Sequence, residues 1–181
     1  MEGIALKILI LVFALLIELR IFVNGRSKAG IENDRGSLKI LLFGLALGIT
    51  GFCLFGFSRY GKLPVDTSYC GLLVVALGLL LRQWAIWTLG PLFTPVVSLE
   101  KQHEIVAKGP YRFLRHPSYT GLVLELGGAA FVISNYASLI AMMACILPAL
   151  WYRIHIEEKF LTQKFGETYA AFLKKKPRIF P

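Results

Sequence analysis

The residues best equipped for chemistry lie in the second half of the chain. Between Gly109 and Gly121 the sequence reads GPYRFLRHPSYTG, which gathers Tyr111, Arg112, Arg115, His116 and Tyr119 within thirteen residues. Pro110 and Pro117 limit any helix there, and the flanking glycines permit close backbone approach. Further along, Glu157 and Glu158 stand side by side. A carboxylate pair set opposite a cationic, aromatic loop can hold a small, polar, water-borne ligand. The same residue types also suit an interfacial brace, because Arg and Tyr sit readily at membrane headgroup level. No metal site is expected: Cys53, Cys70 and Cys145 lie in or beside apolar segments, at no ligand spacing, and read as small core residues.

The elements that must position these groups are apolar. Of 181 residues, 56% are hydrophobic and only 17% charged, and the mean hydropathy is +0.63. A soluble domain is nearer a quarter charged. Runs of about 20 apolar residues are long enough to cross a bilayer, and five candidates appear, at 4–23, 38–57, 68–89, 119–134 and 136–152. The first could be a signal peptide, but Glu18 and Arg20 close the run and no small-residue cleavage site follows. The last two are parted only by a turn near Ser134 and Asn135, which predicts a tight hairpin.

Charge gives the orientation. The formal net charge is +9, yet the basic residues fall between apolar runs rather than on a solvated face, so no nucleic-acid partner is expected. With five spans, sixteen of the 20 Lys and Arg residues share one side, three lie on the other, and Arg82 falls within the third span. The N-terminus is therefore expected outside, with the 90–117 loop and the C-terminal tail in the cytoplasm. Arg82 has two readings, snorkelling to the interface or a role in the interior. Glu125 lies ~9 Å into the fourth span at 1.5 Å per residue. It reads either as a structural ion pair or as the wall of a site, since buried charges in membranes face the bundle interior.

The tail from 153 to 174 has helical periodicity. Ile154, Leu161, Phe165, Tyr169 and Phe172 fall in one stripe, and Glu158 sits in its middle with Glu157 at its edge. A carboxylate on an apolar face must find a donor or a cation when that face docks. The terminal KKKPRIFP reads most simply as an anchor to anionic headgroups, with membrane lipids as partners. The expected fold is all-α: an integral membrane bundle of about five transmembrane helices with a cytoplasmic loop and an amphipathic C-terminal helix. It forms one membrane domain over 1–181, with two spans of unclear role in 1–67 and a core in 68–181.

Taken in order, these residues carry a resemblance. His103, the pair Ile105 and Val106, Gly109-Pro110-Tyr111, Arg115-His116-Pro117-Ser118-Tyr119-Thr120-Gly121, Glu157-Glu158, Phe165-Gly166 and Tyr169 follow the pattern of one family. The sequence resembles the isoprenylcysteine carboxyl methyltransferase family, whose wider superfamily includes membrane phospholipid N-methyltransferases. The resemblance covers about 81–181. It implies S-adenosylmethionine as cofactor, held between the cytoplasmic loop and the tail helix. By resemblance, His103, Ile105, Val106, Gly109, Tyr111, His116, Tyr119, Glu157 and Glu158 would line that pocket. His116 could equally be a local cap, and His155 has no counterpart in the pattern.

The resemblance further implies methyl transfer to a lipophilic acceptor entering from the bilayer, foremost carboxyl O-methylation of an isoprenylcysteine-like substrate. A carboxylate is already ionised near neutral pH and needs no general base. Arg115 and Arg153, which match family arginines, are the candidate catalytic pair for clamping it; both could instead be ordinary positive-inside residues. A phospholipid amine or a small thiol would need a proton sink, for which Glu125 or Glu158 is available. The alternative of another class is a non-catalytic assembly or anchor protein, in which the same residues only brace the loop against the tail. A small transporter has weaker support, since no midplane polar pathway and no repeat is evident.

Overall fold

The computed structural model describes residues 16, 17, 20, 36–93, 105–174, 177 and 178. Among these the regular secondary structure is helical, apart from one isolated antiparallel bridge between Lys62 and Asn135. Five α-helices follow in order: α1 (Ser37–Gly56), α2 (Ser68–Leu89), α3 (Pro117–Val132), α4 (Tyr136–Phe165) and α5 (Glu167–Lys174). Single 3₁₀ turns occupy Gly90–Leu92 and Gly109–Arg112. Three of the helices, α1, α2 and α4, are long and apolar enough to cross a membrane. Nearly all of the span read at 4–23 lies outside the described residues. The run read as a fourth span corresponds to the 16-residue α3, about 24 Å long at 1.5 Å per residue.

Helix pairing follows small residues. Helices α2 and α3 run antiparallel with Gly71 and Gly78 of one against Gly121 and Gly128 of the other. A Cβ placed on Gly78 would lie 2.8 Å from the Glu125 amide nitrogen, and one on Gly128 2.8 Å from the Val75 nitrogen. In a lipid environment, association rests on such close van der Waals approach rather than on exclusion of water. Helices α1 and α4 pair in the same way, with Gly44 against Ala149 and Gly48 against Met142. Between the two pairs, Leu122, Val123, Ile146 and Leu150 form a core on which Leu41, Leu45, Tyr119, Leu126 and Met143 pack. Glu125 is buried in the α2–α3 seam beside Gly78. Its short carboxylate side chain therefore faces protein, not lipid.

The end of the bundle away from Gly109–Gly121 is clasped by polar turns. Asn135 caps α4 by accepting from the Ser138 amide at 2.9 Å, and its side-chain nitrogen donates to the Phe55 and Tyr60 carbonyls at 3.0 and 2.9 Å. Helix α4 is the element that reaches toward the other end. Its 30 residues span about 45 Å, whereas the hydrocarbon core is about 30 Å thick. Roughly its last ten residues therefore reach beyond the hydrocarbon core, and Glu157 and Glu158 lie among them. The 153–174 periodicity does not form one separate helix. Its first part continues α4, which stops where Gly166 takes a φ of +54° that favours glycine, and α5 begins afresh at Glu167.

Candidate active site

Three segments meet at this projecting end: the Gly109–His116 loop, the last turns of α4, and α5 with Pro177 and Arg178. Gly109 also has a φ of +54°, and a Cβ there would lie 2.7 Å from Thr88 Oγ1 and 3.2 Å from Trp84 Nε1. This lets the loop lie directly against the end of α2. Pro110, Tyr111 and Leu114 are buried beneath it. Arg82, also on α2, donates through Nη1 to the Ser118 carbonyl at 2.9 Å and hydroxyl at 3.0 Å. Half-buried, Arg82 ties the loop's exit into the first turn of α3.

His116 occupies the N-cap position of α3 ahead of Pro117, but its side chain forms no cap hydrogen bond. The imidazole is turned instead onto the carboxylates, with Nε2 3.4 Å from Glu158 Oε1 and Nδ1 4.0 Å from Glu157 Oε2. The two glutamates join different networks. Glu158 is 5% exposed. Its Oε1 accepts from Arg115 Nη1 at 3.1 Å and its Oε2 pairs with Arg178 Nη2 at 2.9 Å. Burial acts to raise the Glu158 carboxyl. The hydrogen bonds from His116 and Arg115, with the charges of His116 and Arg178, outweigh it and hold the group down to about 2. It is therefore a fixed anion at neutral pH.

Glu157 is half-buried and accepts from the Tyr119 hydroxyl at 2.8 Å. That hydroxyl in turn accepts from Arg153 Nε at 2.8 Å, and Arg153 Nη1 donates to Ser37 Oγ at 3.0 Å. Arg153 is 3% exposed. One hydrogen-bonded chain thus runs from the first residue of α1 through α4 and α3 to a carboxylate with acceptor capacity left. Burial, followed by Glu157 and Tyr119, raises the Tyr111 hydroxyl above its ordinary range, with Arg82 opposing. Burial, then Glu157 and Glu158, raises Tyr169 likewise. Both phenols remain protonated donors.

The structure brings together Tyr111, Arg115, His116, Tyr119, Arg153, Glu157 and Glu158, with Gly109 shaping the loop. Arg115 and Arg153 address different members of the carboxylate pair, Arg115 directly and Arg153 through Tyr119. Arg115 Nη2 also donates to the Leu173 carbonyl. Ile105 and Val106 are half-buried in the extended segment leading to the loop and add no hydrogen bond to this cluster among the described residues. His103 lies outside the described residues. His155 is exposed.

Four participants escaped the sequence reading of the site. Ser37 carries no sequence signal at all. Tyr169 lay on the apolar stripe. Trp151 looked like one more apolar residue of a span. Arg178 was grouped with the basic tail as a headgroup anchor, yet its guanidinium pairs with Glu158 and stacks over Trp151 at 4.8 Å.

The donor set has both signs within one enclosure: carboxylates, buried phenols and an imidazole beside three arginines. That suits a zwitterionic ligand with a cationic centre, an acid group and hydroxyls. The sequence model of the isoprenylcysteine carboxyl methyltransferase (ICMT) family matches residues 71–163. A probable protein-S-isoprenylcysteine O-methyltransferase of Oryza sativa subsp. indica is 36% identical over 110 residues, covering 60% of this chain and 58% of that one. Protein-S-isoprenylcysteine O-methyltransferase B of Arabidopsis thaliana is 34% identical over 116 residues, covering 63% and 59%. The solved structure of the eukaryotic intramembrane Ras methyltransferase ICMT aligns with a TM-score of 0.63 and 28% identity, over 77% of this chain and 51% of that one. The chain thus spans between about half and three-fifths of the length of these relatives.

Proposed function

The chain belongs to the isoprenylcysteine carboxyl methyltransferase family, and from that premise we propose that it is an S-adenosylmethionine-dependent methyltransferase of lipophilic carboxylates, acting on an isoprenylcysteine-like acceptor. The observation that carries this reading is the paired network on Glu157 and Glu158, built where α4 leaves its apolar span and closed by the loop. It presents a polar enclosure against a lipid-facing bundle, the setting a water-borne donor and a greasy acceptor both require.

Glu157 has acceptor capacity for hydroxyl or ammonium groups of the cofactor, and Glu158 retains one acceptor position beyond its three donors. Tyr111, Tyr119 and His116 complete the polar wall; His103, Ile105, Val106 and Gly109 would add to it from the approach segment. When bound, S-adenosylmethionine supplies an electrophilic methyl on a sulfonium centre. The residues of this chain would bind the acceptor carboxylate, hold it in line and keep water out. Arg153, pre-oriented by Tyr119 and Ser37, is the cation for the acceptor, and Arg115 acts by fixing Glu158. No general base is needed, because a carboxylate is ionised at neutral pH. Opposite charges are consumed in the reaction, so a low-dielectric site does not disfavour it. Holding both partners in contact can supply several kcal/mol of the acceleration.

The finer membrane arrangement belongs to the same reading. It has five spans, counting 4–23 and the short α3, with the N-terminus outside and the site cytoplasmic. The methyltransferase core is 68–181, with 1–67 contributing two spans and, through Ser37, one anchor for Arg153. Calorimetry of S-adenosylmethionine with the solubilised chain, followed by methyl transfer to a farnesylated cysteine carboxylate, tests it. Micromolar binding and ester formation are expected. A folded protein that binds no cofactor sinks the proposal, and exclusive transfer to a phospholipid amine or a thiol overturns the acceptor.

A further inference from the structure

Arg178 lies outside the stretch matched by the family model, in a tail that its sequence assigns to lipid headgroups. Its surroundings differ from those of a headgroup anchor. The guanidinium sits between the Glu158 carboxylate, 2.9 Å away, and the ring of Trp151, with 4.8 Å from Cζ to the centroid. Its carbonyl accepts from the His116 amide at 3.0 Å, and the carbonyl of Pro177 accepts from the Arg115 amide at 3.0 Å.

These contacts solve a specific problem. Residues 115 and 116 lead into Pro117 at the first position of α3, where the following proline disfavours helical backbone. Their N–H groups have no helical partner, and a buried amide without an acceptor is costly. The tail provides both acceptors. Arg178 then locks the tail down, on one side by an ion pair to the buried Glu158 carboxylate and on the other by a cation–π contact with Trp151 at the surface. It also holds Oε2 of Glu158, so that Oε1 is left to Arg115 and His116. One side chain thereby fixes the loop backbone, the imidazole and the carboxylate together.

We propose that Arg178 is a positioning residue of the cofactor pocket, which straps the tail across His116 and Glu158 and sets the geometry of both. The inference rests on the methyltransferase reading above, and its test separates the two. The full-length chain in detergent is compared with R178A and R178K by amide hydrogen exchange at residues 115 and 116 and by calorimetric titration with S-adenosylmethionine.

In R178A, exchange at Arg115 and His116 should quicken by about tenfold or more, while the Asn135 clasp at the far end keeps its protection. Cofactor affinity should fall about tenfold, or about 1.4 kcal/mol, and the KM for the acceptor should stay where it was. R178K keeps the charge but not the planar fork, so it should recover part of both losses. Unchanged protection at 115 and 116 in R178A overturns the proposal, with or without cofactor. So does faster exchange with wild-type cofactor affinity, which would leave the strap purely structural. If the wild type itself binds no cofactor, the methyltransferase reading fails and takes the cofactor role of Arg178 with it. If R178A does not fold, an R178K variant with wild-type protection and tenfold weaker binding overturns the positional account.

Discussion

Replacing Glu158 by Gln is the most informative single change in the site. The amide preserves the shape of the side chain but removes its charge. Arg115 and His116 converge on Oε1, and Arg178 on Oε2. Whichever way the amide turns, its NH2 faces an arginine, so at least one charge-assisted bond is lost outright, at about 1.5–3 kcal/mol. That places the docking equilibrium of the tail about 10-fold to 150-fold lower in E158Q.

The sign of the pH dependence follows from a depressed pKa. The contribution of Glu158 is complete above about 4.5 and is lost as pH falls from there toward about 2. Trp151, under Arg178, is the natural reporter once the other two tryptophans are removed as W84F and W87F. Quenching of Trp151 by acrylamide should rise in the wild type as pH is lowered through this window. In E158Q it should be high already at pH 7 and flat below pH 5. A wild type whose quenching is level down to pH 2, or an E158Q variant as shielded as the wild type at pH 7, would refute the reasoning.

Three further outcomes are expected. R153A should cut turnover by about 100-fold or more, the scale of losing charge-assisted bonds at a buried cation, with cofactor affinity within about twofold by calorimetry; equal loss of both would move Arg153 to the cofactor's own contacts. S37A removes one hydrogen bond to the Arg153 guanidinium, so kcat/KM should drop about tenfold, with S37T, which keeps the hydroxyl, recovering part of it; an unaffected S37A would detach α1 from the site. G78A forces a methyl against the Glu125 amide and the Gly121 carbonyl of the facing helix. It should lower thermal stability in detergent by about 1–3 kcal/mol, and an unchanged melting temperature would count against the close α2–α3 seam.

Much of this molecule is legible in one dimension. Apolar runs long enough for a bilayer and the ordered motif from Gly109 to Tyr169 are local properties, and hydropathy and spacing report them directly. The burial of Glu158 was also foreseeable, since a carboxylate centred on an apolar stripe has to meet a donor. What the sequence could not assign was the partner of each charge. Glu158 could equally have met a ligand, a headgroup or an arginine. Only the folding of a loop and a tail onto α4 gives it Arg115, His116 and Arg178, while Glu157 takes Tyr119. The break at Gly166 was likewise hidden, because the 3.6-residue period of the stripe survives a change of helix direction. Ser37 and Arg153 are separated by 116 positions, and no periodicity connects residues at that range. Their contact exists because small residues let α1 lie along α4, which is a property of packing in three dimensions.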